Sequence, residues 1–338
     1  MPGTLYGSIE RCNHLKQYMK KNIKIAVTGA NGFVGKHLCN YLAENNYDVV
    51  AVVRADSKKF RNSVTVKILP NWDCSNGSNV FDGCDVVIHL VGRAHILNDT
   101  VEDPLTEFRK VNVDNAHAVM RKAADAAVQR IIFVSSIGVN GNQTGCRKFV
   151  ETDLECPHDA YSVSKLEAEV LVREKALQYG MEYVIVRPAL IFGPDAPGNF
   201  GALLRLAAIN VPVPFQNIKA RRNILSIWNM INFLEICAMH PAAANEIFLI
   251  ADEQEIMLPE IFKYLRIGMN RNPRIWRGAN IAIRVIATLM RKKRAFAKIN
   301  SDLRVDISKA KSLLNWSPVY NSFEALKKTG NEYIERKQ

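Results

Sequence analysis

The segment Thr28–Gly35 reads Thr-Gly-Ala-Asn-Gly-Phe-Val-Gly and directly follows a short apolar run, Ile23–Thr28. Three glycines between a predicted strand and a predicted helix are typical of a turn that cradles a dinucleotide pyrophosphate. Glycine lets the backbone approach the phosphates, and the helix N-terminus supplies N–H groups and a partial positive charge. A tight turn without a ligand would carry the same glycines, so the segment alone does not establish binding. It does constrain the fold, because a strand, this turn and a helix together open a βαβ unit.

A second motif lies far downstream, where Tyr161 and Lys165 are four residues apart in a predicted helix. This spacing puts both side chains on one face. An ammonium, helped by the positive charge of an oxidised nicotinamide, is expected to lower the pKa of the phenol, so that Tyr161 can act as general acid and base. Lys165 is expected to tune this pKa and to hold the nicotinamide ribose. Such a pair is often a surface coincidence, and it becomes informative only beside the glycine motif.

A pair of serines, Ser135 and Ser136, closes the fifth predicted strand. In open α/β sheets, ligands bind at the carboxyl ends of the strands. A serine hydroxyl there can hydrogen-bond the reacting substrate oxygen beside Tyr161, although it can equally cap a loop.

Apolar runs alternate with helical patterns over the first half of the chain, which predicts an α/β fold with a Rossmann-type, doubly wound parallel sheet. The predicted strands are Ile23–Thr28, Asp48–Val53, Val64–Leu69, Asp85–Leu90, Arg130–Ser135 and Glu182–Arg187. The predicted helices are Phe33–Asn45, one from Asp103 to about Val128, and Asp159–Tyr179.

After Pro188 the pattern becomes irregular, with a helix expected around Ala202–Ile209 and a helical, basic region from about Leu258. We therefore predict a disordered extension over residues 1–18 with Met19 as the natural start, and a cofactor-binding domain over 19–190. A segment near 224–250 is expected to return to the sheet, with Glu246–Ile250 as a strand. A smaller, mixed substrate domain is expected to take up most of 191–338.

Composition narrows the classes of partner. The chain has 338 residues and a net charge of +12, from 45 Lys and Arg against 33 Asp and Glu, which favours anionic ligands. No nucleic-acid motif accompanies the charge, so a dinucleotide and a sugar nucleotide are the preferred anions and nucleic acid is not expected. The seven cysteines are scattered, and neither they nor the histidines show metal-ligand spacing, so we expect no metal and a reducing, cytoplasmic location. The cysteines are Cys12, Cys39, Cys74, Cys84, Cys146, Cys156 and Cys237.

No apolar stretch reaches the roughly 18 residues that a membrane-spanning helix needs, so no integral membrane segment is expected. Ile281–Lys298 is amphipathic and basic. A helix lying on an anionic membrane has this pattern, and so does a solvated helix face, which is the preferred interpretation.

The end of the second strand bears on the choice of cofactor. Folds that bind NAD usually place an acidic residue there, bonded to the ribose 2′-hydroxyl. This chain has Val53-Arg54 instead, with Lys58, Lys59 and Arg61 nearby. A guanidinium can pair with a 2′-phosphate, whereas a carboxylate would repel it. NADP(H) is therefore favoured, with NAD(H) possible.

These motifs together resemble the extended short-chain dehydrogenase/reductases, of the NAD-dependent epimerase/dehydratase type that acts on sugar nucleotides. The resemblance runs from about Lys24 to Leu326. The matching segments are Thr28–Gly35, His89–Gly92, Val111–Val113, Phe133–Ser136, Tyr161–Lys165, Arg187–Pro188, Phe192–Pro194 and Leu314–Pro318.

The resemblance implies a set of functional residues. The catalytic residues would be Ser136, Tyr161 and Lys165, with Ser135 one place too early. The cofactor would be bound by Gly29, Asn31, Gly32, Phe33, Val34, Gly35, Arg54, Leu90, Val91, Gly92, Tyr161, Lys165 and Pro188. The substrate would be bound by Ser136, Asn199, Phe200 and Arg222, with Arg222 on the nucleotide diphosphate. A second diphosphate-binding arginine, which many 4-epimerases carry just before the segment matching Val305-Asp306, has no clear equivalent, since Lys298 is a weak substitute.

A narrower resemblance points to bacterial surface-polysaccharide enzymes, including 4-keto reductases and proteins labelled UDP-glucose 4-epimerases. It rests on Gly92–His95, Glu102–Leu105, Val139–Gly141, Gly198–Phe200 and Arg221–Asn223. The favoured expectation is NADPH-dependent reduction of the C4 keto group of a UDP-4-keto-6-deoxy-N-acetylhexosamine, in the synthesis of O-antigen or capsule precursors. The alternative is a UDP-hexose or UDP-N-acetylhexosamine 4-epimerase with bound NAD. Dehydration of a sugar nucleotide and a non-catalytic role as an NADP sensor are less favoured alternatives. The resemblance also implies that the protein is a homodimer.

Overall fold

The computed structural model describes residues 23–55, 60–72, 79–92, 103–209, 211–276 and 301–337. The predictions for residues 1–18, for Met19, for Lys58 and Lys59, and for the basic segment Ile281–Lys298 lie outside these ranges.

A seven-stranded parallel sheet forms the centre of the molecule, in the order β10-β6-β5-β4-β1-β2-β3. The predicted Rossmann-type fold is confirmed. The sheet strands are β1 (Lys24–Thr28), β2 (Asp48–Val53), β3 (Val64–Ile68), β4 (Val86–His89), β5 (Arg130–Val134), β6 (Glu182–Pro188) and β10 (Glu246–Ile250). The short strands outside this sheet are β7 (Leu190–Phe192), β8 (Arg221–Arg222), β9 (Ile224–Ser226) and β11 (Ile256–Met257).

Helices cover both faces of the sheet, which is why its strands are apolar on both sides. Ile25 and Val27 of β1 pack in one cluster with Phe233, whereas Ala26, between them, packs with Met120 on the other face. The α-helices are α1 (Phe33–Glu44), α2 (Pro104–Arg109), α3 (Asn115–Asp125), α4 (Ala160–Tyr179), α5 (Gly198–Ala208), α6 (Ile227–Met239), α7 (Leu258–Gly268), α8 (Ser308–Leu314) and α9 (Ser322–Glu335).

The chain leaves the sheet after β6 and returns to it as β10, as predicted for Glu246–Ile250. β10 pairs in parallel with β6, from Glu246 opposite Val184 to Ile250 opposite Pro188. A third core cluster, which includes Phe192, Phe200 and Phe262, joins α5, α7 and α9 into the substrate side.

One predicted helix differs in the structure. The stretch from Asp103 to about Val128 is not one regular α-helix, because a π-helical segment, Lys110–Asp114, separates α2 from α3. A π-helical turn inserts one extra residue and rotates the side chains that follow, and such segments often occur at functional sites. This segment carries Asn112, which is completely buried.

Candidate functional site

The glycine turn joins β1 to α1 with very little space around it. Gly29 has a φ of 69°, and a Cβ atom there would lie 3.0 Å from the amide nitrogen of Val91. A Cβ atom at Gly35 would lie 2.5 Å from the carbonyl oxygen of Gly29, so the first turn of α1 packs against the turn only with glycine at this position. Gly32 caps α1 with its backbone alone. The free amides at the start of Phe33–Glu44 therefore stay available to an anion.

The other predicted cofactor residues lie at the carboxyl ends of the sheet strands, and Leu90 and Val91 border the turn directly. Leu90 and Val91 follow β4, the Leu90 amide donates to the Thr28 carbonyl at 3.2 Å, and Pro188 ends β6. The side-chain amide of Asn31 donates to the Ala55 carbonyl at 3.2 Å, which ties the turn to the end of β2.

These residues fit a dinucleotide, since Gly29 and Gly35 leave the backbone of the turn bare and close to the start of α1. In addition, the side-chain oxygen of Asn31 is buried and has no partner within the described residues.

The end of β2 carries the predicted cofactor-selecting residue. Val52 and Val53 are buried, and Arg54 comes next on an exposed bend. No acidic side chain occupies the last two positions of β2, which leaves Arg54 as the first charged residue after the strand.

Ser136 and Tyr161 form a hydrogen-bonded pair at the carboxyl end of β5. The Ser136 hydroxyl also accepts a hydrogen bond from the Gly138 amide at 3.1 Å, which fixes its position. In contrast, Ser135 is 3% exposed and its hydroxyl has no partner among the described residues. The structure thus brings Ser136, and not Ser135, to the phenol.

Lys165 lies on the same face of α4 as Tyr161, but its ammonium group points toward β5. Its ammonium donates to the Val134 carbonyl at 2.9 Å and lies 4.7 Å from the centre of the Phe133 ring. Burial lowers the pKa of Lys165 to about 8, although the carboxylate of Glu169 opposes this shift.

The predicted lowering of the Tyr161 pKa by Lys165 is wrong for the chain by itself. Burial raises the pKa of Tyr161 to about 12, against the opposing effect of its hydrogen bond to Ser136. Helical spacing placed the two residues on one face, but it could not show that the ammonium reaches the Val134 carbonyl. At neutral pH the chain's own groups therefore hold Tyr161 as a neutral phenol, which suits a proton donor.

Asn112 belongs to this site, although its side chain was not among the predicted functional residues. Its side-chain nitrogen donates to the Ser164 hydroxyl at 2.9 Å. A Cβ atom at Gly92 would lie 3.4 Å from the Asn112 side-chain oxygen and 3.1 Å from the Lys165 ammonium, so both polar groups border the space above Gly92. The sequence offered one indication of this role: Val111–Val113 matches the family, but neither its spacing nor its composition points to a function for Asn112.

A buried ion pair holds α4, the helix that carries Tyr161 and Lys165, against the sheet. Glu169 and Arg187 have no measurable exposure, and Arg187 donates to the two Glu169 carboxylate oxygens over 2.7–3.1 Å. Arg187 also donates to Asn140 at 3.1 Å and to Glu155 at 3.0 Å. One guanidinium on β6 thus fixes α4 and the loop that joins Ser136 to Tyr161.

The three residues predicted on the substrate side occupy different environments. Asn199 is exposed in the first turn of α5, whereas Phe200 is 3% exposed and its ring centre lies 5.4 Å from that of Phe192 in the core. The side chain of Phe200 is therefore a packing element, and only its backbone remains as a contact for substrate.

Arg222 is half-buried, and its guanidinium donates to the Ser301 carbonyl at 2.9 Å. Burial lowers its pKa, and Asp302 opposes this shift. A partly desolvated arginine of this kind can bind a diphosphate, which remains its predicted role.

The different hydrogen bonding of Ser136 and Ser135 leads to a direct prediction. Ser136→Ala is expected to lower turnover by about 10²–10³-fold, the loss typical of removing one donor from a developing oxyanion. Ser135→Ala should change turnover little, since its hydroxyl has no hydrogen-bond partner in the part of the chain that the structure describes and Tyr161 bonds Ser136 instead. Steady-state kinetics on both purified variants test this, and equal losses would contradict the assignment of Ser136.

Comparisons with known proteins identify the family of this chain. The sequence pattern of the NAD dependent epimerase/dehydratase family matches residues 25–251. Over 324 residues, the chain is 33% identical to a UDP-glucose 4-epimerase of Vibrio cholerae, covering 92% of this chain and 95% of that protein. The chain therefore belongs to the NAD-dependent epimerase/dehydratase family, whose members are enzymes.

Solved structures show the same fold at lower identity. A UDP-glucose 4-epimerase of Thermotoga maritima, solved with UDP-glucose, has a TM-score of 0.74 at 21% identity, covering 93% of this chain and 99% of that one. A UDP-N-acetylglucosamine 4-epimerase of Methanobrevibacter ruminantium, solved with UDP-N-acetylmuramic acid, has a TM-score of 0.76 at 18% identity, covering 94% and 100%.

Within the described residues, no helix is both long and apolar enough to cross a membrane.

Proposed function

We propose that this protein catalyses nicotinamide-dependent chemistry at C4 of a UDP-linked hexose or N-acetylhexosamine, and that the reaction is 4-epimerisation. The observation that supports it most is the Ser136–Tyr161 hydrogen bond beside Lys165, at the sheet edge that also carries the glycine turn. The full-length similarity to a protein named UDP-glucose 4-epimerase supports the choice of reaction.

In this proposal each side chain has a separate task. Tyr161 can act as a base only after it has lost its own proton, which the positive charge of an oxidised nicotinamide would favour. The phenolate then takes the proton from the C4 hydroxyl in one half-reaction and returns it in the other, while Ser136 holds the C4 oxygen within hydrogen-bonding distance. Lys165 would hold the nicotinamide ribose and contribute positive charge on the same face of α4 as Tyr161, and Asn112 fixes this helix through Ser164. The nicotinamide cofactor supplies a hydride acceptor and donor when it is bound. Between the half-reactions the keto-sugar must turn over so that its other face is reduced.

Arg222 would hold the UDP diphosphate on the substrate side. Its charge is already partly desolvated, so little further dehydration is needed to form charge-assisted hydrogen bonds. The Asn199 side chain and the Phe200 backbone at the start of α5 would contact the same ligand.

A second candidate is reduction of a UDP-4-keto-6-deoxy-N-acetylhexosamine by NADPH in surface-polysaccharide precursor synthesis. The observation that favours it is Arg54 at the exposed end of β2, with no carboxylate to hold a ribose 2′-hydroxyl. An enzyme that exchanges NADPH after every turnover needs this type of site, whereas an epimerase retains its cofactor.

One experiment separates the two candidates. An epimerase converts UDP-glucose or UDP-N-acetylglucosamine to the C4 epimer without added cofactor and leaves NADPH absorbance flat. A reductase consumes one NADPH for each keto-sugar and leaves these UDP-sugars unchanged. Product NMR, together with the NAD content of the purified protein, gives the answer. If neither substrate class reacts, the assignment to UDP-sugar C4 chemistry fails.

Arg54 also gives a prediction on cofactor choice. A charge-assisted hydrogen bond is worth about 1.5–3 kcal/mol, so Arg54→Ala should weaken NADPH by about one to two decades and NADH hardly at all. Fluorescence titration with each cofactor measures this. If both affinities fall equally, Arg54 does not contact the 2′-phosphate.

A further inference from the structure

Four large apolar side chains are exposed at one corner of the substrate side: Ile209 (54%), Val211 (43%), Ile267 (40%) and Trp276 (51%). We call these four residues the apolar corner. Single exposed apolar side chains are normal, but a contiguous group of them in a folded protein marks an interaction surface.

Hydrogen bonds show that the backbone segments that carry these four residues lie close together. The guanidinium of Arg266 donates to the carbonyl of Ile209 at 2.6 Å and to that of Val211 at 2.7 Å. Ile267 is the next residue in the chain after Arg266. Trp276 is held to the same loop, because its amide donates to the Val213 carbonyl at 3.0 Å.

The charges around the apolar corner are cationic. Arg266 is completely buried, and the acceptors of its hydrogen bonds are carbonyl groups. Burial lowers the pKa of Arg266, and the positive charges of Arg271 and Arg274 lower it further. Backbone hydrogen bonds hold these two arginines beside the corner, since the Arg271 amide donates to the Arg266 carbonyl at 2.8 Å and the Val213 amide donates to the Arg274 carbonyl at 3.0 Å.

We propose that the apolar corner docks this protein on the surface of an anionic phospholipid bilayer. Tryptophan and branched aliphatic side chains insert at the headgroup level of a membrane, and neighbouring cations strengthen binding through their attraction to anionic lipids. A second copy of the chain is a poorer partner, because pairing the corner with itself would bring two groups of cations together. UDP-sugars dissolve in water, so docking is an addition to the proposed function and does not depend on it.

Vesicle binding tests the proposal directly. The full-length protein should sediment with vesicles of equal parts phosphatidylglycerol and phosphatidylcholine and remain in solution with pure phosphatidylcholine. Because the Debye length falls from about 30 Å at 0.01 M salt to about 10 Å at 0.1 M, binding should weaken as salt rises. Failure to sediment with anionic vesicles at low salt overturns the proposal.

Substitutions locate the contact. The triple variant Ile209→Ser, Ile267→Ser, Trp276→Ser should lower the vesicle partition coefficient by about tenfold or more, since it removes the apolar side chains that would insert. The matched control replaces three exposed apolar residues elsewhere with serine: Leu177, Leu313 and Val319. It should bind as the wild type does. If the two triple variants bind equally, the membrane contact lies outside the apolar corner and the proposal is wrong.

Two further readouts distinguish other partners of the corner. Tryptophan emission should shift to shorter wavelength on binding anionic vesicles, and Trp276→Phe should keep binding but lose most of this shift. The corner triple variant should melt within about 2 °C of the wild type, as expected for exposed substitutions. A much larger fall in Tm would mean that the chain itself covers the corner, and loss of a dimer in light scattering would mean that a second copy does. Either result overturns the proposal.

Discussion

Tyr161→Phe is expected to lower turnover by about 10²–10⁴-fold, the usual contribution of a general acid or base. The phenylalanine ring can keep the edge-to-face contact with Phe108, whose ring centre lies 5.9 Å from that of Tyr161. Cofactor affinity and Tm should therefore change little, because only the hydroxyl that bonds Ser136 is lost. Steady-state kinetics, cofactor titration and a thermal melt measure the three quantities.

The same variant separates two explanations of lost activity. If Tyr161 transfers the proton, turnover falls while the cofactor still binds; if it only supports the fold, activity and Tm fall together. A variant that retains more than half of the wild-type turnover would show that another group carries the proton.

Glu169→Ala is expected to destabilise the protein by about 3–5 kcal/mol, because it leaves the buried guanidinium of Arg187 without its main counter-charge. Glu155→Ala is the matched control. It removes the other carboxylate that Arg187 contacts, but that side chain is 33% exposed. A partly exposed pair is worth about 0–1 kcal/mol, so the control should cost far less.

Urea unfolding of the wild type and both variants tests this difference. Similar losses for the two variants would mean that the Glu169–Arg187 pair is no stronger than a surface contact. The Glu169→Ala variant should also lose activity before it unfolds, since Arg187 fixes the loop between Ser136 and Tyr161 through Asn140.

The sheet could be predicted from the sequence because each of its strands is a short apolar run bounded by turn residues. Glu246–Ile250 was recognisable for the same reason, even though 57 residues separate it from β6. The π-helical segment could not be predicted, since Lys110–Asp114 has the composition of an ordinary helix. In the structure this segment makes a tertiary contact, since the Asn112 side-chain amide donates to Ser164.

The candidate site was predictable where spacing along the chain determines the geometry. Tyr161 and Lys165 share a face because they share a helix, and the glycine turn follows from three glycines at one strand end. The direction in which the pKa of Tyr161 shifts was not predictable, since the shift depends on burial and on where the Lys165 ammonium points. The burial of Phe200 was missed because a core contact with Phe192 and a substrate contact look alike in sequence.

The return of the chain to β10 has a consequence for fragments and chimeras. A fragment of residues 23–190 would lack α6 and β10. Arg130 would then lose the carbonyls of Cys237 and His240, to which it donates at 2.8 and 3.0 Å. One face of the sheet would also be exposed to water where Phe233 and Leu234 now cover it. Such a fragment should be insoluble or molten, which expression and circular dichroism would show. Exchanging substrate preference between relatives would therefore need at least three junctions, one on each side of the segment between β6 and α6 and one after β10, because α7 and α9 also belong to the substrate side. A single fusion point would break the cofactor-binding core.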